Sequence, residues 1–154
     1  MQLSWIEPGI LAASDIPSNA ADVQLLHAQG IRAIITLTEK PLSLVEGISD
    51  QLLERLQIQT LHLPVNDFQA MTAEQVKAGT EFVRSMQLHG SPVLVHCYAG
   101  QGRTGMFLHA YYLSMGWSLE SARNQVMKRR IICRFDDLSA PQQRFLDQYS
   151  GLRK

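Results

Sequence analysis

Short apolar runs alternate with amphipathic stretches along the chain, and glycine, proline or a capping residue bounds each one. Residues 4–6 and 10–12 read as two short strands around the turn Glu7-Pro8-Gly9, a hairpin at a sheet edge. Residues 18–29 follow as a helix with apolar Val23, Leu25 and Leu26 and a stop at Gly30, and 31–36 read as a strand. Pro41 and Gly47 punctuate a loop over 37–47; a helix is expected at 50–57 and a strand at 59–63. Pro64 opens a loop over 64–71, and Thr72 and Gln75 form a capping box for a helix that runs to Leu88, before Gly90. Residues 92–95 are a β-branched run suited to a buried strand. Residues 106–115 are apolar around nearly the whole circumference, as in a helix buried on most sides. After Gly116, Ser118 caps a helix to about Arg130, and a last helix runs from 139 or 140 to Tyr149.

Strands alternating with helices predict one α/β domain over residues 1–154, with a mostly parallel central sheet flanked by helices. Ligands on such sheets bind beyond the carboxyl ends of strands. Two loops arrive there from different strands, one carrying Asp67 and the other Cys97.

The chemistry concentrates in His96-Cys97-Tyr98-Ala99-Gly100-Gln101-Gly102-Arg103-Thr104-Gly105, between the strand at 92–95 and the apolar helix. Free N–H groups of the loop (Tyr98, Ala99, Gly100, Gln101, Gly102) and of the helix start make this an anion site. Arg103 can grip two oxygens of a phosphate through its planar fork. Thiolates are favoured at helix N-termini and beside cations, so the same loop would activate Cys97 as a nucleophile. Gly100 and Gly102 let the backbone turn its N–H groups inward. Thr104 places a hydroxyl where it can donate to the sulfur. A buried cysteine beside a chance glycine turn is the plain alternative, and Cys-x5-Arg by itself would not exclude it.

The whole string His-Cys-x-x-Gly-x-x-Arg-Thr-Gly resembles the signature of the cysteine-dependent protein phosphatases. The resemblance extends to Trp5, Pro8, Gly9, Leu11 and Ala12 at the start, to Leu37-Thr38-Glu39 and to Asp67-Phe68, and is strongest to small atypical dual-specificity phosphatases of the VHZ type. It implies a protein tyrosine phosphatase-like fold and a phosphocysteine intermediate, with neither cofactor nor metal. It also implies a general acid on a loop about thirty residues before the cysteine, which is where Asp67 stands. Asn66-Asp67 is equally a favoured turn pair; Asp50, Asp136 and Asp137 are weaker candidates for the acid, since none follows a predicted core strand. Prolines common in the family after the Asp-Phe pair are replaced by Gln69-Ala70-Met71. His96 is expected to orient the loop by hydrogen bonding.

The lack of any segment for an extra recognition loop implies a shallow pocket open to phosphotyrosine, phosphoserine and phosphothreonine in protein or peptide partners. Ala99 and Gln101 stand where relatives acting on phosphoinositides carry lysines. RNA 5′-triphosphatases and catalytically weak phosphate-binding modules remain alternatives within the same resemblance. Arg123, Lys128, Arg129, Arg130 and Arg134 read as a solvated helix face, although the resemblance matches Arg130 weakly to an arginine near the active site, with Ile131 in place of a proline. Gln142 and Gln143 could place a water, but read more simply as surface glutamines. Cys133 reads as a half-buried thiol.

Composition removes several classes. Fourteen basic and fourteen acidic residues cancel, so no global field steers the chain to nucleic acid or an anionic membrane. Two cysteines build neither a disulfide framework nor a zinc site. The first residues carry no basic-then-apolar leader and no run reaches membrane-spanning length. A cytoplasmic monomer is the expectation.

Overall fold

The computed structural model describes residues 1–152. Its sheet is built from β1 (Ser4–Glu7), β2 (Leu11–Ser14), β3 (Ala33–Thr36), β4 (Gln59–His62) and β5 (Val93–His96), in the order β1-β2-β5-β3-β4. Only β1 runs antiparallel to its neighbour, as the edge hairpin requires; the other pairings are parallel. β5 lies at the centre with all four residues buried. Its side chains alternate between two cores, as the period of a strand dictates. Val93 and Val95 join Ala13 and Ile35 on one face, and Leu94 joins Ala12 and Ile34 on the other.

Among the described residues, six α-helices cover the two faces. α1 (Ala20–Ala28) and α2 (Asp50–Arg55) close the smaller core with Val23, Leu26, Leu52 and Leu53. α3 (Ala73–Leu88), α4 (Gly102–Ser114), α5 (Leu119–Arg129) and α6 (Ala140–Leu152) close the larger one. Every residue of α4 from Arg103 to Leu113 is buried, which explains its apolar circumference. The capping box of Thr72 and Gln75 forms as read, and Ser118 caps α5.

Several boundaries move. The helix read over 18–29 starts at Ala20, capped by Asn19, whose Oδ1 accepts from Asp22 N at 2.8 Å, while the Ser18 hydroxyl and amide both donate to the Asp22 carboxylate. The loop over 37–47 contains a short 3-10 turn, Leu42–Leu44, pinned by the buried Leu42. α4 begins at Gly102, so Arg103, Thr104 and Gly105 already lie in its first turn, with Gly105 N bonded to Gln101 O at 2.8 Å.

Register sets up the site. Ser14, His96 and Thr36 lie abreast at the carboxyl ends of β2, β5 and β3, and His62 ends β4 opposite Thr36. The loops that leave these four residues therefore start level, and they carry Ile16, Cys97, Glu39 and Asp67 to one edge.

Candidate active site

Cys97 follows β5 directly and is almost fully buried. Thr104, in the first turn of α4, donates its hydroxyl to Cys97 Sγ at 3.1 Å. Gly100 carries the intervening loop through a left-handed conformation (φ 70). Its carbonyl accepts from Arg130 Nε and Cys133 Sγ, each at 3.1 Å. A Cβ at Gly100 would come within 2.6 Å of Ser14 O and 2.7 Å of Arg130 Nη2, so this position demands glycine sterically as well as conformationally.

Arg103 is 3% exposed. Its Nη1 is anchored by Glu39 Oε1 at 2.6 Å and Val65 O at 2.9 Å. Nη2 lies 3.5 Å from Asp67 Oδ1, and Nε is buried without a partner. The Nε–Nη2 edge is the fork that accepts two oxygens of one anion. Arg103 lines a pocket of about 150 Å³ together with Cys97, Ala99, Gln101, Gly102, Asp67 and Gln142 among others. Tyr98 and Phe68 line the same pocket and stand exposed at its rim.

His96 is enclosed behind the loop. Its Nδ1 faces Cys97 O at 2.9 Å and therefore carries the proton, so Nε2 accepts from the Thr36 hydroxyl at 2.9 Å. Burial holds its pKa down to about 4, which leaves the ring neutral at physiological pH. Both ring nitrogens are committed to fixing the end of β5.

Asp67 sits half-exposed at the mouth. Its Oδ1 accepts from Phe68 N at 3.0 Å, and its own amide donates weakly to Glu39 Oε2 at 3.4 Å. Phe68 adopts φ 65, a conformation bulky residues rarely occupy, and is held in it by Ser139, just before α6, and by Gln142 in its first turn. Ser139 Oγ donates to Phe68 O at 2.7 Å, and Gln142 Nε2 donates to Gln69 O at 3.1 Å.

This is a thiol beside a two-oxygen anion fork with a carboxyl across the opening, and a family model decides what it belongs to. The model described as Swiss Army Knife protein, DSP-PTPase phosphatase domain, matches residues 1–143. The chain belongs to this family of cysteine-dependent phosphatases. It is similar to the human protein named Phosphatidylglycerophosphatase and protein-tyrosine phosphatase 1, with 29% identity over 127 residues, covering 81% of this chain and 63% of that protein. The human Protein phosphatase Slingshot homolog 2 is 27% identical over 135 residues, covering 87% of this chain and 9% of that protein. The chain thus spans less than two thirds of either relative. Among solved structures, Tk-PTP in its active form superposes with a TM-score of 0.82 at 25% identity, covering 97% of this chain and 96% of that one. PTPMT1 shares the fold with a TM-score of 0.82 at 21% identity, covering 99% and 96%.

Three expectations from the sequence do not hold. The basic cluster is not one solvated face. Arg130 is buried and donates to Gly100 O, Gln2 O and Ser4 Oγ. Arg123 pairs with Asp136 at 3.0 Å while lying over the Phe135 ring, and Arg134 pairs with Asp137 at 2.8 Å. Gln142 is no surface glutamine: it is 1% exposed and packs beside Gly102 in the pocket wall. Gln143 instead donates to Phe135 O and Leu138 O. Cys133 is fully rather than half buried; burial pushes its thiol up to about 12, so it stays protonated and can donate to the loop.

Glu39 had entered only as part of a matching tripeptide, yet it joins Arg103 to the Asp67 loop. Its own amide and the Arg103 guanidinium lower its pKa, so it stays a carboxylate there. Among the described residues, no group of three or more His, Cys, Asp or Glu could hold a metal ion.

Proposed function

We propose that this phosphatase hydrolyses phosphotyrosine, and also phosphoserine and phosphothreonine, in proteins of a reducing compartment such as the cytoplasm. Within its family it is read as a small atypical dual-specificity enzyme of the VHZ type, on its opening residues and the Asp67-Phe68 pair. The observation that carries the chemistry is the buried, unpartnered Nε of Arg103, a residue that lines one pocket with Cys97.

Phosphate oxygens take the Nε–Nη2 edge of Arg103 and the loop amides, which releases Asp67 from Nη2. The Cys97 thiolate attacks phosphorus in line and the P–O ester bond breaks. Asp67 gives its proton to the departing oxygen, leaving a phosphocysteine. A water then attacks phosphorus and passes its proton to the Asp67 carboxylate. The S–P bond breaks and Cys97 leaves as a thiolate, stabilised by the Thr104 hydroxyl 3.1 Å away. Gln142 lines the same pocket, and its Nε2, which gives one hydrogen to Gln69 O, has a second to offer that water. Loop amides and Arg103 stabilise the equatorial charge throughout.

A protein substrate is supported by uncharged Ala99 and Gln101 on the loop and by the aromatic rim of Phe68 and Tyr98. The deciding experiment is hydrolysis of p-nitrophenyl phosphate and of phosphotyrosine and phosphoserine peptides, with EDTA present, by wild type and Cys97→Ser. Wild type is expected to turn over all three and Cys97→Ser none. Turnover by Cys97→Ser would remove the thiolate mechanism. A folded wild type that binds phosphopeptide without turnover would make the chain a phosphate-binding module.

A further inference from the structure

A second pocket adjoins the phosphate site and shares Asp67, Tyr98 and Arg103 with it. At about 540 Å³ it is far larger than a phosphate needs, and lies within the range of small-molecule sites. Its distinctive walls are apolar: Ile16, Pro41, Leu44 and Val45. They are firmly built. Ile16 N donates to Tyr98 O at 2.9 Å, which ties that wall to the phosphate loop. The Thr38 hydroxyl donates to Lys40 O at 2.8 Å, and Val45 N closes the 3-10 turn on Leu42 O at 3.0 Å. Leu42 is buried beneath this turn, so Leu44 is held out at 67% exposure, a large apolar side chain fixed beside a polar site.

Arg103 is already matched by Glu39 and Asp67, whereas Lys40 has no ion pair among the described residues. The lining thus holds two cations and two carboxylates, and once Asp67 carries the proton it gives the leaving group, Lys40 is the cation left over beside an apolar trough. Anionic membranes are held by clusters of basic residues, and a single lysine in a chain of zero net charge is not such a surface.

Resting on the protein-phosphatase reading above, we propose that this groove binds the residues flanking the phosphorylated side chain of a protein substrate, taking an apolar side chain against Leu44 and Ile16 and a carboxylate at Lys40. The groove is then the specificity subsite of a phosphate pocket that is itself indifferent to sequence.

The test compares kcat/KM for phosphotyrosine peptides of equal length whose flank, on either side, carries Leu and Glu, Leu and Lys, or Gly and Lys. Wild type should prefer the Leu/Glu flank over Gly/Lys by about tenfold, mainly through KM, the scale of discrimination an apolar pocket achieves. Leu44→Asp should erase the leucine preference. Lys40→Glu should transfer the preference from the Leu/Glu to the Leu/Lys peptide, a reversal that loss of structure cannot produce. Equal kcat/KM for all flanks in wild type, with p-nitrophenyl phosphate still hydrolysed, would overturn the subsite and leave the chemistry standing. Failure to hydrolyse p-nitrophenyl phosphate would overturn both readings. A short-chain phosphatidylglycerol phosphate that loses more rate than the peptides in Leu44→Asp would give the groove to an acyl chain, and overturn the proposal.

Discussion

Arg103 has one edge to offer an anion because its other end is held. Nη1 is fixed by Glu39 and Val65 O, which sets the plane of the guanidinium before any phosphate arrives. Glu39→Gln keeps the shape but weakens that anchor. It should lower kcat/KM on a phosphotyrosine peptide by roughly 10- to 100-fold, the usual cost of a misplaced positioning group. Its melting temperature should hardly move, since an ion pair with a half-exposed partner adds little stability. An unaltered kcat/KM in the variant would remove Glu39 from the site. Asp67→Ala should slow hydrolysis of an alkyl phosphate by roughly 10²–10⁴-fold and of p-nitrophenyl phosphate far less, because only the poor leaving group needs the proton. Equal losses on both substrates would mean that Asp67 does something other than donate a proton. Cys97, Thr104 and Arg103 could be read from sequence because one strand, loop and helix turn bring them together. Glu39 could not, since it meets Arg103 across 64 residues of chain.

Helix α6 works at the level of the element. Its start fastens the acid loop through Ser139 to Phe68 O and Gln142 to Gln69 O, and so supports the left-handed Phe68. Ser139→Ala should cost about 0.5–1.5 kcal/mol in urea unfolding. It should also slow alkyl phosphate hydrolysis more than p-nitrophenyl phosphate hydrolysis; a uniform loss on both substrates would show that the contact is only structural. Gly100→Ala strikes the other loop, where the new methyl would meet backbone on β2 and the Arg130 side chain. Lost affinity for inorganic phosphate in a calorimetric titration is expected, and retained affinity would mean that the loop relaxes around the methyl. The capping box of α3 was legible because its signal is four consecutive residues. The early start of α4 was not, because Gly102 and Gly105 look like loop residues until the packing of Gly105 against Cys133 O and Leu138 shows why a side chain is excluded.

Over the whole molecule, two buried histidines tie stability to pH. His96 and His109 are neutral in the fold, with burial holding each near 4 against an ordinary 6.5. The unfolded chain therefore takes up protons first as pH falls. The contribution of these groups is complete above about 6.5 and is lost progressively toward 4, by about 1–2 kcal/mol per group at pH 5. Urea midpoints at pH 7.5 and 5 should differ accordingly, and His109→Gln should remove about half of that difference. An equal difference in the variant would assign it to other groups. The sequence by itself determined the alternation of strands and helices, the edge hairpin and the strand-loop-helix that carries Cys97, because periodicity, caps and a short motif act over neighbouring residues. The tertiary structure alone decided that Glu39, Cys133 and Gln142 converge on that loop, and it turned the weak match of Arg130 into a contact with Gly100 O. Their partners come from separate elements, and only the level carboxyl ends of β2, β5, β3 and β4, with the helices packed against them, bring groups so distant in the chain within hydrogen-bonding reach.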